Sequence, residues 1–262
     1  SLINKYIMKL IYKFNEKTPP KISEVGGKAY SLIKMSQANF PVPDGFVLSV
    51  EFFKPWFKQV ENMDSWKSFL KADKNKLKKH CDAIKKECKS LKLSNQQKKG
   101  IKEAMKNFKK ENIFAVRSSS PEEDLEGKSF AGGYETSLGV TQKSLERAIL
   151  HSFISVFDER IVKYKMQHGM KTHAPRIAII VQEQIASDVS GVAFSLNPQN
   201  NCYDEAVINA SFGLGETIVS GQVTPDSFIV DKPKNKIIDK KIGHKDYALW
   251  LGKTRGIIKK DI

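Results

Sequence analysis

Two cations stand in settings suited to gripping phosphate. In "VGGKAYSL" (25–32), Gly26 and Gly27 precede Lys28 at the start of a stretch whose apolar residues have helical spacing. Glycine lets backbone N–H groups approach an anion closely, and a cation in the first helical turn adds to them. In "FAVRSSSPEEDLEGKSFAGGYETSLGV" (114–140), Arg117 leaves the end of an apolar strand, which would hold its planar fork for two-point contact with phosphate oxygens. Gly132 and Gly133 lie between two strand-like runs, a hairpin-like flap whose amides could cover a triphosphate. The plainer alternatives are a glycine turn with a solvated lysine and an ordinary hairpin. Glu122, Glu123, Asp124 and Glu126 could hold a metal, but such an acidic run reads first as a solvated loop.

A third stretch, "IAIIVQEQI" (177–185), is a buried strand that turns polar at Gln182 and Glu183. A nucleobase needs a polar edge between apolar neighbours, although a core strand reaching the surface has the same pattern. His173 lies in a basic loop with no glycine-rich setting, and His80, His151, His168 and His244 show no metal-ligand spacing. Cys81, Cys88 and Cys202 form no CxxC pair, and the first two are expected to pack in a helical segment, which fits a reducing compartment.

The elements that must position these residues belong to a chain of 262 residues, 40% of them hydrophobic, long enough to bury a real core. No apolar run approaches a membrane span, so a soluble, cytoplasmic protein is expected. Most of the formal net charge of +15 lies between Lys67 and Lys110, where sixteen lysines face four acids and no arginine. Leu77, Cys81, Ile84, Cys88 and Leu91 recur there at steps of three and four, predicting helices with one buried stripe and solvated lysines. Without arginine or interleaved aromatics the segment makes a poor nucleic-acid site, and no specific nucleic-acid partner is expected. Beyond residue 112 the pattern is strand (114–117), loop, strand (134–140), helices (142–168), then mainly strands, with "DKPKNK" as a hairpin turn. Mixed helices and strands in two unequal halves predict an α/β or α+β protein, with a boundary near 112 separating residues 1–111 from 112–262.

Together, "VGGKAYSLIKM", "PVPDGFVLS", the 114–140 stretch, "VQEQIASDVSGVAFSLNP" and "INASFGLGETIVSGQVTPDSF" resemble, in order and spacing, the ATP-binding domain of phosphoenolpyruvate synthase, pyruvate phosphate dikinase and rifampin phosphotransferase. The resemblance implies an α+β, two-lobed ATP-grasp fold with ATP in a cleft between the lobes. By position, Lys28 matches a phosphate-binding lysine and Arg117 the arginine on the transferring phosphates. Gly132, Gly133 and Thr136 match the flap, and Gln182, Glu183 and the main chain to Ile185 match the adenine-binding strand. Glu216 falls in a family motif near the phosphates, with no role assigned to it. The resemblance further implies transfer of the β-phosphoryl of ATP to a histidine on a separate domain and then to pyruvate or another acceptor such as rifampin. A non-catalytic adenine-nucleotide module is the alternative. Mg²⁺ ligands would lie on a "PQDIEW"-like segment that these 262 residues do not contain, so they are not expected to complete catalysis alone.

Overall fold

The computed structural model describes residues 9–71, 76–122, 135–252 and 256–262. The chain divides into two units, Ser1–Gln184 and Ile185–Ile262.

The first unit is built on a five-stranded antiparallel sheet: β1 (Ile11–Lys13), β2 (Gly45–Leu48), β5 (Ala178–Glu183), β3 (Phe114–Ser119) and β4 (Thr136–Val140), in that spatial order. The anticipated boundary near 112 falls inside this unit, because β3 pairs with β5, which pairs in turn with β2. β5 reads as an unbroken apolar run because it is central and covered on both sides. Its alternate residues feed two cores: Ile179 and Val181 join one cluster, Ala178 and Ile180 the other.

The larger cluster lies under α2 (Lys54–Glu61), α3 (Asp64–Leu70), α4 (Leu77–Cys88), α5 (Asn95–Ala104), α6 (Leu145–Ile154) and α7 (Glu159–Gln167). Phe153 anchors it, with ring centroids 5.0 Å from Trp56 and 5.5 Å from Phe53. Truncating a side chain buried this completely typically costs about 3–5 kcal/mol. The lysine-rich segment folds as its spacing predicts: Leu77, Cys81, Ile84, Cys88 and Leu91 are all buried in this cluster. Burial in low dielectric pushes both Cys81 and Cys88 thiols up to about 12.

The opposite face is covered by α1 (Ile22–Gln37), whose Val25, Ala29 and Ile33 pack against Val47, Ala178 and Ile180. Glu24 ties the first turn of α1 to its surroundings, accepting from the Lys21 N–H at 2.8 Å and the Tyr12 hydroxyl at 3.0 Å.

The second unit contains a four-stranded antiparallel sheet, β6 (Val189–Phe194), β7 (Glu205–Phe212), β8 (Asp226–Asp231) and β9 (Lys236–Lys241), the short helix α8 (Glu216–Val219), and a hairpin of β10 (Tyr247–Leu251) and β11 (Ile257–Asp261). The predicted turn between β8 and β9 is present, with Asn235 in the left-handed region. The described residues are thus α+β, as expected, and none of their helices is long and apolar enough to cross a membrane.

Candidate functional site

In β3, residues Phe114 to Ser119 are buried except Arg117. Directly opposed residues of antiparallel strands share a face, so Arg117 lies beside Thr136 of β4 and Ile180 of β5, on the α1 side of the sheet. The strand does not end at Arg117, as the sequence suggested. It continues through Ser118 and Ser119, which pair with Ile179 and Ala178.

Ser119 is fully buried and has a structural task. α1 kinks at Gly26, whose φ of 75° and ψ of 164° lie in a region that non-glycine residues rarely occupy. Beyond the kink the helix restarts, and Ser119 Oγ accepts the Ala29 N–H of its first turn at 3.0 Å. A Cβ on Gly26 would stand 2.2 Å from the Ser119 carbonyl oxygen, so only glycine allows this approach. The helical turn that carries Lys28, itself exposed, is therefore pinned to β3 two residues beyond Arg117. Sequence spacing of 89 residues between the two cations gave no hint of that connection.

More contacts hold the chain as it leaves β3. Ser120 Oγ donates to the Arg176 carbonyl at 2.8 Å and accepts the Glu122 N–H at 3.1 Å. The Arg176 guanidinium donates to the Ser23 carbonyl. Glu122 forms an ion pair with Lys165 of α7, whose side chain is 2% exposed. Glu122 is therefore not part of a solvated acidic loop. A buried cation needs a close counter-charge, and the carboxylate supplies it. Glu123, Asp124 and Glu126, with the flap glycines Gly132 and Gly133, lie outside the described residues.

Gln182 and Glu183 point to opposite faces. Gln182 is opposite Gly45 and Ala115, on the Arg117 side, and its Nε2 donates to the Pro43 carbonyl at 3.1 Å. Glu183 is opposite Phe114 and accepts from Asn112. The N–H groups of Glu183 and Gln184 are already given to the carbonyls of Asp44 and Ile113, each at 2.8 Å. Gln184 also accepts the Gly139 N–H at 2.7 Å, which holds β4.

In the second unit, Ile185 is exposed. One face of the four-stranded sheet carries Val189, Ile208, Phe212 and Phe228, the first three exposed, with the ammonium groups of Lys245 and Lys240 5.7 Å and 5.9 Å from the Phe212 and Phe228 rings. The hydrogen bond from Lys245 holds the Asp226 carboxyl below the usual range. The turn before Glu216 is fixed at Gly213, whose φ is 68° and whose Cβ would meet the Leu249 carbonyl oxygen at 2.2 Å. Among the described residues no three His, Cys, Asp or Glu side chains gather to hold a metal ion.

The family model for the pyruvate phosphate dikinase AMP/ATP-binding domain matches residues 22–261. The chain belongs to that family. A probable phosphoenolpyruvate synthase of Methanocaldococcus jannaschii is 32% identical over 91% of this chain and 21% of its own length. An uncharacterised phosphotransferase of Bacillus subtilis is 35% identical over 90% of this chain and 27% of its own length, and the phosphoenolpyruvate synthase of Pyrococcus furiosus 31% over 89% and 34%. The chain thus spans about a fifth to a third of the length of these curated relatives. As a dikinase-family AMP/ATP-binding domain it has the α+β build seen here, and the sheet face beneath α1 gathers Arg117, Thr136 and Gln182. Residue typing did not find Ser119, Arg176 or Lys165. The triple serine after Arg117 was the available signal, since three consecutive polar residues continuing an apolar strand need partners if buried.

Proposed function

We propose that this domain binds ATP for a phosphoenolpyruvate-synthase-like dikinase, in which the β-phosphoryl group moves to a histidine of a separate domain and then to pyruvate. The overall balance is ATP, pyruvate and water giving AMP, phosphate and phosphoenolpyruvate. The observation that carries the reading is the Ser119–Ala29 pin, which fixes the helix bearing Lys28 against the strand bearing Arg117.

Phosphoryl transfer asks a protein chiefly for positioning and charge stabilisation. Arg117, rooted inside a paired strand, offers two N–H donors in a fixed plane to phosphate oxygens. Lys28 offers a point charge from the helical turn that follows the kink. Thr136 stands opposite Arg117 and offers a hydroxyl; Gly132 and Gly133 are assigned to the covering flap through family position alone. For the adenine, Gln182, Glu183 and Ile185 are the proposed contacts. Because the Glu183 and Gln184 N–H groups are already used within the sheet, the base edge would be met by carbonyls of this stretch or by groups from Ile185 onward. These roles do not require a metal ligand from the described residues.

Calorimetric titration of the chain with ATP tests the binding, and AMP production by the chain joined to histidine and acceptor domains tests the transfer. Saturable ATP binding that weakens strongly in Arg117→Ala is the expected result. A folded chain that ignores millimolar ATP, or binds it equally well without the arginine, refutes the assignment.

A further inference from the structure

A groove of about 400 Å³ opens between α5 and α6, on the side of the five-stranded sheet opposite Arg117. Lys98, Lys102 and Lys106 form one wall and Ile101, Met105 and Leu145 the floor. The lysines recur every fourth residue along α5 and the 3₁₀ turn that follows it, Met105–Asn107, giving a row about 12 Å long. All three are exposed, and the floor residues pack on the main core, so the shape of the groove is set by buried structure. The acids nearby neutralise little of the row: Glu103 pairs with Lys106 in an exposed geometry, and Glu146 stands on the other wall.

We propose that this groove docks an acidic amphipathic helix of a protein partner. Its apolar stripe would cover Ile101, Met105 and Leu145, and carboxylates at every fourth position would face Lys98, Lys102 and Lys106. Charge complementarity selects the partner. The groove lies in the segment that holds most of the chain's positive charge, so an approaching acidic helix is drawn in and a basic one repelled. The equal four-residue spacing selects a helix, because carboxylates repeat at the same rise on a helix lying alongside α5. The apolar floor separates this from a nucleic-acid surface, which would require arginine or aromatic side chains for base edges and stacking; none lines the groove. The site lies on the opposite sheet face from Arg117, Thr136 and Gln182, so a docked helix need not touch those three residues.

The test uses the full 262-residue chain and a fluorescent peptide with leucines along one helical face flanked by glutamates at every fourth position. Anisotropy is read near physiological salt, with a peptide carrying lysine in place of each glutamate as the control. Combined Lys98→Glu, Lys102→Glu and Lys106→Glu should weaken binding by about tenfold or more. Combined Lys78→Glu, Lys79→Glu and Lys86→Glu changes the net charge equally on exposed positions of α4, away from the groove, and should change affinity by less than about twofold because salt screens distant charges. Melting curves confirm that both variants fold. Equal losses in the two triple variants, no peptide binding at all, or duplex DNA binding more tightly than the peptide and through the same three lysines would each overturn the proposal.

Discussion

Replacing Gly26 with alanine tests the pin between α1 and β3 directly. The residue's φ of 75° and ψ of 164° cost a side-chain-bearing residue about 1–3 kcal/mol. The new Cβ would also stand 2.2 Å from the Ser119 carbonyl oxygen and 2.6 Å from its Oγ. Forcing an extra carbon into packed structure adds about 1–3 kcal/mol, while the lower entropy of the unfolded alanine chain returns about 0.4–1 kcal/mol. The net expectation is a loss of about 1–5 kcal/mol, a large part of the 5–15 kcal/mol that typically holds a domain together. Gly169→Ala is the matched control: its φ is 63°, yet nothing lies within 4 Å of the added carbon, so only backbone strain remains. That change should cost about 1 kcal/mol or less after the entropy offset. Removing the Ser119 hydroxyl as well should not rescue Gly26→Ala, since the nearer obstacle is the backbone oxygen. Urea unfolding of the two single variants and of Gly26→Ala/Ser119→Ala reads all three numbers. If Gly26→Ala loses less than about 1 kcal/mol and matches Gly169→Ala, the close approach to β3 does not govern the fold as argued.

Four further measurements follow from the same geometry. In the chain joined to histidine and acceptor domains, Arg117→Ala should leave the melting temperature nearly unchanged and cut AMP formation from ATP by about a hundredfold or more, with Arg117→Lys restoring only part, because a point charge cannot replace a two-point fork. Lys165→Met should destabilise by about 3–5 kcal/mol in urea unfolding, since it leaves Glu122 without its buried counter-charge; an unchanged midpoint would mean the pair contributes nothing. Burial, with the hydrogen bond to Glu24 next, raises the Tyr12 hydroxyl to about 12. The stability from that neutral hydroxyl is complete below about pH 10 and fades as pH rises towards 12, and Tyr12→Phe should remove this share of the alkaline loss. In native protein near pH 8, iodoacetamide should label Cys202 well before the buried Cys81 and Cys88, whereas equal labelling would contradict their placement.

Which of these features the sequence disclosed depends on how far their physical causes extend along the chain. The lysine-rich helices were legible because a stripe at steps of three and four and its solvated flank are local, and Leu77 to Leu91 pack as that spacing requires. β5 was legible for the same reason, its unbroken apolar run reflecting cover on both faces. The boundary near 112 came from a change of composition. Strand pairing obeys a different rule, since β3 completes a sheet begun by residues a hundred positions earlier. "SSS" looked like a polar turn because a buried serine differs from an exposed one only in its partners. Those partners, Ala29 and Arg176, are long-range in sequence. Gly26 stood out in the sequence beside Lys28, but its close approach to Ser119, which ties the helix carrying Lys28 to the strand carrying Arg117, joins residues 93 positions apart. Charged groups and glycine motifs can be read from the sequence, while the contacts that tie distant elements together become visible only when the chain is folded.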